Sequence, residues 1–322
     1  MMLIDALQCG NFDREVIEEL RTAGYTCVTP TLGFWEGTLE SLDEIARWRD
    51  MERDNVELMR IVRKADDIRQ CKKDGKLGVL LGFQNTNLLE DRVRYIELFA
   101  DMGVRVLQLT YNNQNELGGS CYEEHDSGLS RFGREVVTEM GRAGIVVDCS
   151  HVGNRTTLDA IKHATKPLAI THANPASVFP HKRNKSDDVL KALADNGGVI
   201  GCVAYRNITP PSACATVDGW CEMVARTVEL AGIDHVGIGT DYSHKTNDAF
   251  YDWMRRGRWT RGVDYGAGSA ANPGKVSKPE WLLKAGQLPS VEGGLKRVGF
   301  SPEETAKIMG GNWLRLYQAV FG

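Results

Sequence analysis

The segment IVVDCSHVG, residues 145–153, has the pattern of a buried β-strand that ends in a histidine, His151. A second segment, PLAITHAN, residues 167–174, repeats the pattern and carries His172 at its end. Short, nearly continuous apolar runs are typical of strands that are covered on both faces of a parallel sheet. The two segments therefore predict neighbouring buried strands that carry imidazoles at their ends.

Six further runs share this pattern, so that eight alternate with longer amphipathic segments. They cover residues 2–8, 25–31, 77–84, 104–111, 145–152, 167–174, 198–205 and 235–242. Between the first two runs, Val16, Ile17 and Leu20 have helical spacing and Gly24 follows. Eight strand–helix units predict an α/β protein, a (β/α)8 TIM-type barrel with terminal helices, as a single domain over residues 1–322. A doubly wound open sheet is the alternative, although no GxGxxG motif follows the first run.

Outside these units, residues 39–73 are predicted to be a helical insertion, residues 243–280 a long loop, and residues 301–321 two packed terminal helices. Ser130, Asn154, Ser186 and Thr216 are the predicted helix N-caps.

Composition excludes several classes of protein. The net charge of −4 over 322 residues provides no electrostatic basis for binding nucleic acid or an anionic membrane surface. Eight cysteines without CxxC pairs exclude a zinc ribbon. The absence of a leader pattern and of a long apolar stretch leads us to expect a cytoplasmic protein in a reducing compartment.

Active-site groups of such a barrel come from the carboxyl ends of the strands. Polar or reactive residues stand there: Cys9, Thr31, Gln84, Tyr111, His151, His172, Tyr205 and Asp241. Two imidazoles and a carboxylate together suit Zn²⁺, Fe²⁺ or Mn²⁺, which would activate a bound water. Each of the three has a structural alternative; Asp241, for example, lies in GTDYS, which resembles an Asx turn. The other five histidines are expected at the surface or at caps: His125, His163, His181, His235 and His244. His244 lies three residues past Asp241, and a role in the site is its alternative.

The motifs VVDCSHVG, ITHANPASV, PHKRNKSDDVL, VGIGTDY and GGNWLRLY together resemble the motif series of the membrane dipeptidase family, peptidase family M19 of the amidohydrolase superfamily. The resemblance implies a (β/α)8 barrel with a binuclear zinc site that hydrolyses dipeptides. It implies that His151 and His172 bind one zinc and that Asp241 binds the other and transfers protons. It also implies that Arg183 holds the terminal carboxylate of the substrate. A surface ion pair of Arg183 with Asp187 or Asp188 is the alternative.

The chain departs from the family pattern at four positions. Leu7 and Cys9 stand where the family has a histidine and an aspartate, Gln84 replaces a bridging glutamate, and Tyr111 replaces a histidine that contacts the substrate. Anionic ligands are what make two adjacent dications tolerable, and here most are missing. We therefore expect at most one metal ion, zinc or another divalent metal, bound by His151 and His172, with Gln84 or Asp241 completing the shell. Cys9 is expected to be a buried bystander, with ligation as the alternative.

Together with the resemblance, these residues predict a metal-dependent hydrolase of the dipeptidase family that acts on a dipeptide or another small amide with a carboxylate. Asp241 would be general base and then acid, Arg183 the carboxylate anchor, and Tyr111 a hydrogen-bond donor to the scissile carbonyl. Because the family often forms dimers, a homodimer is one expected assembly. No nucleic acid or membrane partner is expected. Two alternatives stay open. The same barrel could run a different C–N bond hydrolysis or a lyase reaction, or it could be a non-catalytic relative that binds a small molecule or a partner.

Overall fold

The eight apolar runs form the parallel strands of one barrel. The structure is a computed structural model that describes residues 1–258 and 276–322, together with the backbone of residues 264–265 and 268–269. The strands are Ile4–Gly10 (β1), Cys27–Pro30 (β2), Met59–Ile61 (β3), Leu77–Val79 (β4), Leu81–Phe83 (β5), Val104–Gln108 (β6), Val146–Asp148 (β7), Ala169–Ala173 (β8), Val199–Cys202 (β9), Val236–Ile238 (β10) and Tyr242–His244 (β11), followed by the antiparallel pair Asp264–Tyr265 (β12) and Gly268–Ser269 (β13).

The third predicted strand closes the ring. It is divided into β4, which pairs with β2, and β5, which pairs with β6. The remaining order runs from β2 through β1, β10, β9, β8 and β7 to β6. A bridge between Thr31 and Gly82, and a 2.8 Å bond from the Leu32 N–H to the Gly82 carbonyl, complete the closure. The (β/α)8 prediction is confirmed, and the open doubly wound alternative is excluded.

The helices pack around the barrel. They are Arg14–Thr22 (α1), Thr38–Asp54 (α2), Ala65–Asp74 (α3), Tyr95–Asp101 (α4), Arg131–Ala143 (α5), Asn154–His163 (α6), Asp187–Asp195 (α7), Pro211–Ala215 (α8), Val217–Ala231 (α9), Asp248–Arg256 (α10), Ser290–Arg297 (α11), Pro302–Ala306 (α12) and Asn312–Phe321 (α13). Ser130 and Thr216 cap α5 and α9 by accepting backbone N–H groups, which is worth about 1 kcal/mol each. Ser186 occupies the N-cap of α7, whereas Asn154 is the first residue of α6 and Gly153 takes the cap.

Three predicted segments differ in detail from the structure. The insertion at residues 39–73 contains the strand β3 between two helices, because Met59 and Ile61 are buried and extend the sheet beside β4. The predicted loop at residues 243–280 contains the end of β11 and α10; its residues 259–275 lie outside the described residues, except for the backbone of β12 and β13. The C-terminal tail is α12 and α13 joined by a π-helical turn, Lys307–Gly311.

The last helix covers the amino-terminal end of the barrel. Trp313 and Tyr317 of α13 pack in one apolar cluster with Ile4 and Val146, which stand at the beginnings of their strands. The Trp313 indole donates to the Ile238 carbonyl at 3.0 Å. This packing leaves the carboxyl ends of the strands as the open face. Within the described part of the chain, no helix has both the length and the apolar character that a membrane crossing requires.

Candidate active site

The strand ends converge on one pocket at the open face of the barrel. Its lining includes six of the eight predicted strand-end residues and the predicted carboxylate anchor: Cys9, Gln84, Tyr111, His151, Tyr205, Asp241 and Arg183. Thr31 and His172 do not line it. His172 is completely buried and reaches the pocket through its contact with His151.

The two predicted imidazole ligands face each other. The Nε2 atoms of His151 and His172 lie 3.1 Å apart. The Nδ1 atom of His151 lies 2.8 Å from the Asn112 side-chain oxygen, and that of His172 lies 2.8 Å from the Thr171 hydroxyl. These acceptors place the imidazole proton on Nδ1 by inference from the hydrogen bonds, which leaves both Nε2 lone pairs converging. Burial and the charge of Arg183 lower the pKa of both imidazoles well below the ordinary value, so both rings are neutral.

A buried aspartate that the sequence analysis did not single out orders this pair. Asp148 accepts the Thr171 hydroxyl at 2.7 Å and the Thr171 N–H at 2.9 Å. It also accepts the N–H of Ser150 at 3.0 Å and its hydroxyl at 2.5 Å. Because the Thr171 hydroxyl proton goes to Asp148, its oxygen is free to accept from His172. The signal in the sequence was a charged residue inside an apolar strand run.

Two buried cations hold the backbone on either side of His151. Arg183 donates to the Ser150 and His172 carbonyls, the latter at 2.7 Å, and Lys185 donates to the Val152 carbonyl. Both side chains are almost completely buried. Burial, with the nearby charge of Arg183, lowers the pKa of Lys185 to about 8. Lys185 was not predicted as a site residue.

Arg183 is therefore buried and not at the surface, where an ion pair with Asp187 or Asp188 would have placed it. Asp187, one of the two suggested partners, accepts instead from the Ser177 hydroxyl at 2.6 Å. No ion pair of Arg183 with Asp187 or Asp188 occurs among the described contacts. Since a guanidinium has five N–H donors and two carbonyls use two of them, other N–H groups remain for a ligand.

Asp241 lies in the pocket with an unusual backbone conformation. Its φ angle of 57° is in the left-handed region, which a non-glycine residue adopts at some cost, and such strain is common at functional sites. Its backbone N–H donates to the Leu7 carbonyl at 3.0 Å. Desolvation raises the pKa of its carboxyl group to about 7, against the opposing charge of Arg183. Asp241 can therefore gain and lose a proton near neutral pH.

Cys9 is a neutral thiol beside this carboxylate. Its sulfur lies 3.1 Å from the Ser243 hydroxyl and 3.8 Å from Asp241 Oδ1. Burial and the charge of Asp241 raise the pKa of the thiol well above its ordinary value. Since the thiolate is the form that ligates metals, this environment favours the bystander role of Cys9.

A network of hydrogen bonds among polar side chains of the first strand and its neighbours lies beneath the pocket. Asp5 is buried and accepts from Gln8 at 2.8 Å and from the Thr240 hydroxyl at 2.6 Å. The Gln8 side-chain oxygen lies 2.9 Å from His244 Nε2. The expectation that His244 is a surface or capping residue is therefore wrong, because β11 pairs with β1 and buries it. This hydrogen-bond network holds β1, which carries Cys9, against the segment after β10, which carries Asp241.

Gln84 and Tyr111 complete the site. The Gln84 side chain donates to the Thr31 hydroxyl at 2.8 Å, while its Oε1 is buried without a hydrogen-bond partner. The Tyr111 ring lies 4.3 Å from the His151 ring and packs against Phe34 at 5.0 Å. Burial raises the pKa of the Tyr111 hydroxyl well above its ordinary value, so it stays protonated and can donate. The pocket is thus lined by an acceptor without a partner, Gln84 Oε1, and by the buried phenol of Tyr111.

The spacing of the two histidine nitrogens is compatible with one shared metal ion. Two nitrogens about 2.0–2.1 Å from a tetrahedral zinc stand roughly 3.3 Å apart, close to the spacing seen here. Among the described residues, no group of three or more His, Cys, Asp or Glu side chains is arranged to hold a metal. A third ligand, Gln84 or Asp241, therefore remains a prediction. Leu7 is buried and apolar, which removes a ligand of a second ion.

Sequence comparison relates the chain to known dipeptidases. The sequence model described as membrane dipeptidase (peptidase family M19) matches residues 21–253. An uncharacterized dipeptidase of Schizosaccharomyces pombe is 32% identical over 191 residues, which are 57% of this chain and 46% of that protein. A dipeptidase of Claviceps purpurea is 27% identical over 287 residues, 88% of this chain and 60% of that protein. The chain therefore spans less than two thirds of the length of either relative.

Solved structures extend the comparison over the whole chain. The crystal structure of an amidohydrolase from Pseudomonas aeruginosa has a TM-score of 0.93 and 36% identity, covering 100% of this chain and 97% of that one. A metallopeptidase from Rhodobacter sphaeroides, liganded with a phosphinate mimic of the dipeptide L-Ala-D-Ala, has a TM-score of 0.80 and 17% identity, covering 99% of each chain, and shows the common fold. The barrel, the ordered motifs and the matched profile together show that this chain belongs to the membrane dipeptidase family, peptidase family M19.

Proposed function

We propose that the protein is a metal-dependent hydrolase that cleaves a dipeptide or another small carboxylate-bearing amide, with one zinc ion rather than two. The observation that carries the proposal is the pair of converging imidazole nitrogens, 3.1 Å apart, of which His151 lines the same pocket as Asp241, a carboxyl group whose pKa burial raises to about 7. Family membership supports the reaction class.

The protein would supply two histidine ligands and one further ligand to the ion. His151 and His172 would hold it through Nε2, with Gln84 Oε1 or Asp241 completing the shell. A bound divalent ion supplies Lewis acidity and lowers the pKa of water toward neutrality. The hydrogen bonds that the Nδ1–H groups donate to Asn112 and Thr171 keep the two rings in the required tautomer and orientation.

Asp241 would transfer the proton from the attacking water to the leaving amine. A general base works best when its pKa lies near the operating pH, and burial brings this carboxyl group to about 7. It would accept the proton of the attacking water and return it to the leaving amine. The neighbouring thiol of Cys9 stays protonated and does not compete for this role.

Arg183 and Tyr111 bind the substrate. Arg183 is braced by two carbonyls, so its remaining N–H groups are fixed in space for a carboxylate. The protonated Tyr111 hydroxyl would donate to the carbonyl oxygen on which charge develops. Phe34 and Tyr111 also shield this part of the pocket from water.

Metal analysis combined with a panel of dipeptides tests the proposal. We expect close to one ion per chain by elemental analysis and hydrolysis that depends on it. His151→Ala should lose both, while His125→Ala, at an exposed loop position, should keep both. Metal without hydrolysis of any dipeptide would favour a different C–N bond hydrolase or a lyase. The absence of both bound metal and turnover would favour a non-catalytic binding protein. A homodimer and a cytoplasmic location remain predictions.

A further inference from the structure

An apolar cluster lies at the mouth of the barrel, separate from the two clusters that form the barrel core. We call it the mouth cluster; it consists of the buried residues Cys9, Phe34, Trp35 and Tyr111 and the half-buried residues Phe250, Trp253 and Met254. Its members come from the end of β1, the loops after β2 and β6, and α10. Four of them line the pocket: Cys9, Phe34, Tyr111 and Met254. The pocket therefore has an apolar wall beside its polar groups.

Hydrogen bonds fix this apolar wall in place. Glu36 Oε2 accepts the backbone N–H groups of Phe34, at 2.6 Å, and of Trp35, at 2.9 Å. Glu36 Oε1 accepts the Trp253 indole N–H at 2.6 Å, and the Trp35 indole donates to the Met254 carbonyl at 3.0 Å. The loop after β2 and α10 are thus bonded to each other in two places. A ligand that packs against a wall already held in this way loses little free energy to ordering it.

Ring contacts place the apolar wall beside the histidine pair. Arg183 donates to the carbonyl of Ser150, the residue before His151. The centre of the His151 ring lies 4.3 Å from that of Tyr111, which lies 5.0 Å from that of Phe34. The contacts therefore run from Arg183 through His151 and Tyr111 to Phe34. A ligand whose carboxylate binds Arg183 and whose carbonyl lies between His151 and Tyr111 would extend its acyl part toward Phe34.

Apolar surface of the wall is open to such a ligand. Met254 lines the pocket and is only half-buried, as is its neighbour Phe250. Covering this surface with an apolar group is favourable in proportion to the area removed from water, and a thioether adapts to the shape of what it contacts. A strongly polar group placed there would lose its hydration without replacement.

We infer that the acyl part of the substrate is a large apolar group, aromatic or aliphatic, which packs against Phe34 and Met254. The inference rests on the proposed function, in which the carboxylate of the substrate binds Arg183. Two sources share this chemistry: the first residue of a dipeptide with an apolar side chain, and the apolar acyl chain of an N-acyl amino acid.

Binding of N-acetylglycine and N-dihydrocinnamoylglycine to the full chain, measured by calorimetry, tests the inference. The two probes share the glycine carboxylate and the amide, and differ in the size of the apolar acyl group. We expect the dihydrocinnamoyl probe to bind at least about tenfold more tightly, since burial of a phenyl group is worth that much. The preference should persist at high ionic strength, because salt does not screen apolar burial. If the protein hydrolyses the probes, kcat/KM gives the same comparison.

Variants locate the preference. Met254→Ala should lower the ratio of the two dissociation constants at least about threefold, because it removes apolar surface from the wall. Phe34→Ala should do the same, although Phe34 is nearly fully buried and its loss also weakens packing. Met51→Ala, at a half-buried methionine of α2 outside the described pocket lining, should keep the ratio. A parent ratio near one, undetectable binding of the dihydrocinnamoyl probe, or a ratio that Met254→Ala leaves unchanged would overturn the inference.

A third probe identifies the source of the apolar group. L-Phenylalanylglycine adds only an α-amino group to the dihydrocinnamoyl probe. Binding at least as tight as that of the latter indicates a dipeptide, and weaker binding indicates an N-acyl amino acid; both results support the apolar wall if the tenfold preference holds.

The outcomes separate this inference from the proposed function. Selective binding of the dihydrocinnamoyl probe without hydrolysis of any amide would support the apolar wall and refute the hydrolase. Metal-dependent hydrolysis that treats small and large acyl groups alike would refute the apolar wall alone.

Discussion

Replacement of Lys185 by methionine tests how the backbone around His151 is held. Lys185 is 1% exposed, and its ammonium donates to the Val152 carbonyl. Burial and the charge of Arg183 lower its pKa from 10.5 to about 8. Lowering the pKa by this amount corresponds to about 3 kcal/mol by which folding disfavours the charged form.

The sign of the pH dependence follows from this direction. Below about pH 8 the lysine is charged in both the folded and the unfolded states, and the full penalty applies. Between about pH 8 and 10.5 the unfolded chain binds more protons than the folded chain, so the free energy of unfolding rises with pH. From about pH 7 to about pH 9.5, we expect this one group to stabilise the parent protein by about 2 kcal/mol.

Urea unfolding of the parent and of Lys185→Met at the two pH values measures this effect, because the difference between them cancels the other titrating groups. The parent should gain about 2 kcal/mol relative to the variant as the pH rises. Lys182→Met, at an exposed position in the same loop, should show no such change. A parent–variant difference that is the same at both pH values would refute the argument that burial depresses the pKa of Lys185.

The remaining predictions concern the metal, the substrate and the proton. Elemental analysis should find at most one tightly bound ion per chain, and His151→Ala and His172→Ala should each abolish retention in a barrel whose circular dichroism is unchanged; two ions per chain would contradict the charge argument. Arg183→Lys should lower kcat/KM roughly ten- to hundredfold on a carboxylate substrate and leave an amidated one nearly unaffected. Because Arg183 also satisfies two buried carbonyls, the same variant should lose about 1–3 kcal/mol of stability in urea unfolding. The rate should rise through about pH 7 as Asp241 ionises, and Asp241→Asn should remove that limb of the pH profile.

Local pattern was enough to predict the barrel. Parallel strands that are covered on both faces must be apolar along their whole length, and each of the eight runs with that character forms a barrel strand. The caps Ser130 and Thr216 were predictable for a similar reason, since a hydroxyl that satisfies a free N–H acts within three residues. Placement of His151 and His172 at strand ends followed from the barrel itself, because its carboxyl ends meet at one face. The strand β3 was missed because its three residues are too short a run to show a period.

Partners from distant parts of the chain were decided by the tertiary structure alone. Lys185 contacts the carbonyl of Val152, 33 positions away, and His244 is buried against Gln8, 236 positions away. Such contacts leave no periodic trace in the sequence, because they depend on where loops cross the barrel mouth. The charge state of Asp241 is of the same kind: its side chain has the same chemistry in any sequence, and only its burial in the folded pocket brings its pKa to about 7. The sequence by itself therefore determined the barrel and the positions of the reactive groups, whereas folding determined which of them touch and which are charged.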